Sequence, residues 1–226
     1  VLTTRDLGPA ERAQARRLRF RERLLELAIQ PKSDFTHALS AILRTATEML
    51  DVSAVSFWRL SHDGESLRCE SLFDRGRDRF MRDWVGRELS ATRFPAYFAQ
   101  LMNRQPIVVN DTLTSRLTTS FAGDRSWSRV RAMLDVPVLV EGEVSGVLSL
   151  QNQESRLWDD DDVSFANTTS LMLALALEAA QRGLQDLDWV GRRALVSLSD
   201  WLLGEDDLGV AAAAEKDRKP ARTIKD

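Results

Sequence analysis

A single cysteine, Cys69, and two histidines, His37 and His62, leave this 226-residue chain short of the side chains that thiol and zinc chemistry need. One thiol excludes an intrachain disulfide, and one cysteine with two histidines is too few for most zinc sites. Neither histidine has a cysteine, histidine or aspartate partner at a useful offset, so both read as satisfied or exposed rather than catalytic. Glycine-rich phosphate loops are missing as well; Asp63-Gly64 and Glu141-Gly142 read as turns. No apolar run approaches the ~20 residues that cross a bilayer, and nothing resembles a signal peptide. A formal net charge of −3 gives no general attraction to nucleic acid or to an anionic membrane. The simplest expectation is a cytoplasmic protein with no nucleic-acid and no membrane partner.

What is present fits a soluble globular chain, with 43% hydrophobic and 29% charged residues. Pro9 suits the first turn of a helix that runs to about Ile29 and is stopped by Pro31. Its arginines (Arg12, Arg16, Arg17, Arg19, Arg21, Arg23) invite a nucleic-acid reading. Glu11, Glu22 and Glu26 dilute that charge, and Phe20, Leu24 and Leu27 form an apolar seam, so a solvated face is the better reading. Asp34 is placed to cap a second helix, Phe35 to Leu50, whose apolar positions follow a helical period. Val52 to Leu60 and Ser66 to Phe73 read as paired strands across His62-Asp63-Gly64. The Arg-rich segment Asp74 to Arg93 reads as a loop with a short helix. A helix Pro95 to Asn103 and a strand Pro106 to Asp111 follow.

Val130 to Val140 and Glu143 to Gln151 read as a hairpin across Glu141-Gly142. The acids Asp159 to Asp162 look like a metal cluster at first sight. Four consecutive acids cannot all face one ion from a helix start, and N-terminal capping explains them better. The helix that follows carries Leu173, Leu177, Ala180, Leu184 and Leu187 four and three residues apart. The register continues through Gly191, Ala194, Leu198 and Trp201, a heptad seam that predicts a paired helix. The expected divisions are an N-terminal helix at 1–33, a folded domain at 34–187, a continuing helix at 188–204 and a disordered tail or linker at 205–226.

Several stretches carry a family likeness. Leu67-Arg-Cys-Glu-Ser-Leu-Phe-Asp74, Phe94-Pro-Ala-Tyr-Phe-Ala99 and Ile107-Val-Val-Asn-Asp111 resemble segments of GAF domains in bacterial sensor kinases and related multidomain regulators. Met133-Leu-Asp-Val-Pro137, Gly146-Val-Leu148 and Arg156-Leu-Trp158 continue the resemblance. It implies an α+β, GAF-like fold, a six-stranded antiparallel sheet with N- and C-terminal helices packed on one face and a small-ligand pocket on the other. It also implies a sensory module, not an enzyme, that forms a homodimer through its terminal helices and signals to an output domain such as a histidine kinase. The cyclic-nucleotide signature of some relatives is not matched, since Gln153 follows Asn152 and Val163 follows Asp162. Cys69 lies in an expected strand without a neighbouring histidine, unlike the cysteine of bilin-binding relatives. A lone thiol cannot complete the disulfide cycle of the methionine sulfoxide reductases.

The resemblance places the ligand between the sheet and the irregular middle of the chain, 73–135. Candidate lining residues are Phe57, Phe73, Tyr97, Phe98, Phe121 and Met133. Candidate polar anchors are Arg75, Arg77, Asp111, Ser120 and Asp135, suited to an anionic or aromatic small molecule. No catalytic residue, no metal ligand and no particular cofactor is indicated. Cys69 reads as a buried, inert thiol in preference to a redox sensor. The alternative function is a ligand-free dimerisation or protein-interaction module.

Overall fold

The computed structural model describes residues 8–29, 34–118, 121 and 127–182. Its elements are α1 (Pro9–Ile29), α2 (Phe35–Met49), β1 (Ala54–Leu60), β2 (Ser66–Asp74), β3 (Arg79–Phe80) and β4 (Glu88–Ser90). They continue with α3 (Pro95–Leu101), β5 (Ile107–Val109), β6 (Ala132–Val140), β7 (Glu143–Asn152) and α4 (Asp160–Arg182). The seven strands form one sheet in the order β3-β2-β1-β7-β6-β5, with β4 also on β2. Because β3 and β4 occupy opposite ends of the same β2 edge, the sheet is six strands wide, as the α+β reading expected.

Local chemistry explains the element ends. The Asp34 carboxylate accepts the amides of Thr36 and His37 at the start of α2. Glu141 and Gly142 both take positive φ, 53° and 83°, which suits the two-residue hairpin turn between β6 and β7. At the start of α4, the Asp162 amide donates to Asp159 Oδ1 at 2.7 Å, and the Asp159 amide donates back to Asp162 Oδ2 at 3.3 Å. This is a reciprocal capping box with aspartates at both positions, so the acidic run caps a helix.

One layer of helices covers one sheet face. Phe20, Leu24, Leu43, Phe165, Leu173 and Leu177 pack there against Val55, Phe57, Phe73, Leu134, Val136 and Leu148. Phe20 and Phe165 bring their ring centroids to 4.5 Å, joining α1 to α4. By composition α4 is apolar enough to cross a membrane, yet 72% of its apolar window is buried inside this fold.

Two expectations are corrected here. Leu173 and Leu177, read as a seam for a partner helix, are 0% and 1% exposed and face the chain's own sheet; a heptad-spaced stripe serves either packing equally well. Positions 184–201 of that seam, and the expected tail, lie outside the described residues. The segment after Asp74 forms β3, β4 and turns rather than a short helix: the Met81 amide donates to Leu72 O and the Gly86 amide to Cys69 O, which ties it along β2.

Candidate functional site

The other face of the sheet lies beneath α3 and the segments around it. A β-bulge decides which side chains reach it. Register along β1 and β2 slips between Phe57 and Trp58, leaving Glu70 as the extra residue. The alternation therefore changes parity. Leu67, Cys69 and Leu72 join Trp58 on this face, whereas Phe57 and Phe73 belong to the helix-side core. Phe57 and Phe73 share the face of Val55 in unbroken register, under the helices, which corrects the expectation that they line the roofed pocket.

Tyr97, Phe98, Phe121 and Met133 do come together on the roofed face, with Phe94, Trp58 and Trp127. Phe94 stacks on Phe121 at 4.3 Å, Phe121 meets Trp127 at 5.0 Å, and Trp127 lies over Trp58 at 5.9 Å. Trp84 stands edge-on to both Trp58 and Trp127, at 6.4 and 6.2 Å. These rings bury large apolar area and fix one another's orientation.

Into this apolar surrounding the sheet places a polar row. Ser56 of β1 pairs with Ser149 of β7, and Ser149 pairs with Asp135 of β6. All three are at most 1% exposed, and Gln151 beside them is 5% exposed. Trp58 Nε1 donates to Ser56 Oγ at 2.9 Å, and Gln151 Nε2 donates to Ser149 Oγ at 3.2 Å. Tyr97, the one tyrosine of the chain, donates its hydroxyl to Asp135 Oδ2 at 2.6 Å. Asp135 Oδ1 has no hydrogen-bond partner. Burial lifts the Asp135 carboxyl to about 6, with Ser149 and Tyr97 pulling the other way. Burial first, and then the neighbouring carboxylate, raise the Tyr97 phenol well above its ordinary value. Buried acceptors without donors are rare in folded proteins.

At the end of this face, beside the polar row, a cavity of about 270 Å³ opens to solvent. Trp84, Met81, Leu72 and Val130 form its apolar side, and Gln151 lines it from β7. Arg77, Arg87, Arg129, Asp74 and Asp83 ring it with charge. Larger open grooves of about 640 and 810 Å³ lie at the β1–β2 hairpin end. Their central charges are already matched in the pairs Arg59–Glu70 and Arg104–Glu143.

The remaining sequence candidates scatter. Arg75 pairs with Asp51, away from the roofed core. Arg77 reaches the rim of the cavity and pairs with Asp74 at 2.7 Å. Asp111 pairs with Arg131 at 3.0 Å and accepts the Leu113 amide; the Arg131 hydrogen bond and that amide hold its carboxyl below the usual range. Ser120 lies outside the described residues. The sequence reading missed Ser56, Ser149, Gln151, Trp84 and Arg129. A signal existed for two of them: Ser149 and Gln151 are polar at alternate positions beside the apolar Leu148 and Leu150, the pattern of one distinct sheet face. Cys69 is 1% exposed, and burial pushes its thiol up to about 12, so it is not poised for thiolate chemistry.

The architecture places helices on one side of an antiparallel sheet and a roofed, buried cluster of polar and aromatic side chains on the other. The family model for the GAF domain matches residues 34–177, and the chain belongs to the GAF domain family, whose members are sensory modules of signalling proteins. The fold is similar to the GAF domain of Acinetobacter phosphoenolpyruvate-protein phosphotransferase (15% identity, TM-score 0.59, covering 78% of this chain and 97% of that one). It is also similar to GAF3 from Slr1393 of Synechocystis in its photoproduct state (17% identity, TM-score 0.56, covering 66% and 96%). A third is the free methionine-R-sulfoxide reductase of Neisseria meningitidis in complex with its substrate (16% identity, TM-score 0.56, covering 73% and 89%). None of the curated proteins matches the chain.

Proposed function

We propose that this chain is a non-catalytic sensory module of a bacterial signalling protein. It binds a small ligand on the roofed face of the sheet and relays the bound state through its terminal helices to an output domain such as a histidine kinase. The observation that carries this reading is the buried row Ser56–Ser149–Asp135, with an unpaired carboxylate oxygen, set beside a solvent-open cavity. A core built for stability alone gains nothing from such a row. Of the sequence candidates, Tyr97, Phe98, Phe121, Met133 and Asp135 remain the proposed chamber, while Arg75 and Asp111 have drifted to outer ion pairs.

A thermal-shift panel of nucleotides, cyclic dinucleotides, amino acids and aromatic metabolites tests ligand binding. A true ligand at a hundredfold excess over its Kd adds about 2.7 kcal/mol of stability. Complete silence across the panel defeats the sensory reading.

The second reading, a ligand-free dimerisation or interaction module, draws support from α1. Leu18, Leu25 and Ile29 are 53%, 38% and 77% exposed and fall on one stripe of the helix, seven and four residues apart. Sedimentation of the wild type beside Leu18→Asp and Leu25→Asp decides it. A dimer that dissociates in both variants, together with a silent ligand panel, establishes the second reading in place of the first.

A further inference from the structure

The cavity beside Gln151 has a chemistry of its own. Its volume of about 270 Å³ lies just below the ~300–1,000 Å³ of ordinary ligand sites, which admits a single ring system and leaves no room for a dinucleotide or an open-chain tetrapyrrole. Its charges do not cancel. Arg77 is held by Asp74 at 2.7 Å, and Arg87 approaches Asp83 at 3.9 Å while lying over the Trp84 ring at 4.4 Å. Among the described residues Arg129 has no acidic partner, so the rim carries one surplus guanidinium. The half-buried Trp84 supplies a flat wall. At the inner end, Gln151 donates one amide hydrogen to Ser149, and its amide oxygen is left as an acceptor.

Resting on the sensory reading above, we infer that this cavity takes a small planar anion, an aromatic or heteroaromatic carboxylate. Its carboxylate meets Arg129, its ring lies against Trp84, and a ring or amino N–H donates to Gln151. A planar guanidinium suits a carboxylate through two parallel hydrogen bonds, and a bare ammonium does so less well. With Asp74 and Asp83 matched by Arg77 and Arg87, the single surplus guanidinium matches one negative charge, that of a monocarboxylate.

Anthranilate, benzylamine and acetate at millimolar concentration, followed through the indole N–H resonance of Trp84, test this. Anthranilate should saturate, benzylamine and acetate should not, and Arg129→Ala should weaken anthranilate about tenfold or more. Arg129→Lys should fall between the two. Arg129 is exposed, so an unchanged unfolding midpoint verifies that the variant folds. Anthranilate binding undiminished in Arg129→Ala, benzylamine binding equal to anthranilate, or no binding by any probe would overturn the inference. The broad metabolite panel stands apart: a panel ligand that ignores Arg129 leaves the sensory reading in place and removes only this one.

Discussion

Tyr97 reaches down from α3 and donates to Asp135 on β6 at 2.6 Å, inside a core from which both side chains are all but excluded from solvent. That bond ties the roof to the sheet and leaves the second carboxylate oxygen unpaired. The carboxyl is raised from 3.8 to about 6 by burial, so the folded state holds its proton more tightly than the unfolded chain does. Its contribution to stability is therefore fully present below about pH 4 and is lost as pH rises through about 6. The loss is on the order of 3 kcal/mol. Denaturant unfolding of wild type and Asp135→Asn at pH 4.5 and 7.5 measures it. The wild-type advantage over the variant should shrink by roughly 2 kcal/mol or more between these two values; a constant difference contradicts the burial argument.

Gly146 is required where β7 pairs with β1, opposite Arg59. A Cβ there would come within 2.4 Å of Trp58 O and 2.7 Å of the Phe57 ring. The nearer atom is backbone in the middle of a ladder, so it cannot swing aside. Gly146→Ala should destabilise the fold by about 3 kcal/mol, read from the unfolding midpoint. A neutral result would mean that the two strands separate easily.

Asp162 is a buried electrostatic centre. Its side chain is 2% exposed, pairs with Arg16 of α1 and accepts Arg156 at 3.0 Å, and Arg156 also donates to Leu50 O. Removing the carboxylate leaves two guanidinium groups facing each other, so Asp162→Ala should cost about 3 kcal/mol or more and speed amide exchange in α1. Arg17 pairs with Asp161 while 62% exposed, and Arg17→Ala should change stability by less than about 1 kcal/mol. Equal effects of the two substitutions would contradict the assignment.

Cys69 should resist modification. With its thiol pushed up to about 12 and its side chain buried, a thiol reagent at pH 8 should react with the native protein only at the rate of unfolding. Prompt reaction of the native state would revive a redox role for this residue.

The parts of this molecule that were legible in its sequence are those governed by local chemistry. Asp34 as a cap, the Glu141-Gly142 hairpin and the Asp159–Asp162 helix start follow from neighbours within a few residues. Tyr97, Phe121 and Asp135 were grouped through the family resemblance, and the fold brings them to one face of the sheet. Phe57 and Phe73 were misplaced because strand alternation fixes which residues share a face but not which face the helices cover; the extra residue Glu70 separately reverses the parity of Leu67 and Cys69, and composition gives no sign of it. The Leu173–Leu177 stripe misled for another reason: its spacing is the same whether a sheet or a second helix covers it. The neighbourhood of Arg129, Trp84 and Gln151 comes from three distant segments and has no local signature.

Ligand-induced shifts of backbone amides, mapped residue by residue with whichever compound stabilises the protein, go to the heart of the matter. A sensory module that binds on its roofed face should show the largest shifts at Met81 to Trp84, Arg129 to Val130 and Gln151 to Gln153, with smaller ones at Tyr97 and Asp135. Shifts centred instead on Arg59, Ser61, Arg104 and Glu143, in the open grooves at the β1–β2 hairpin end, would contradict it.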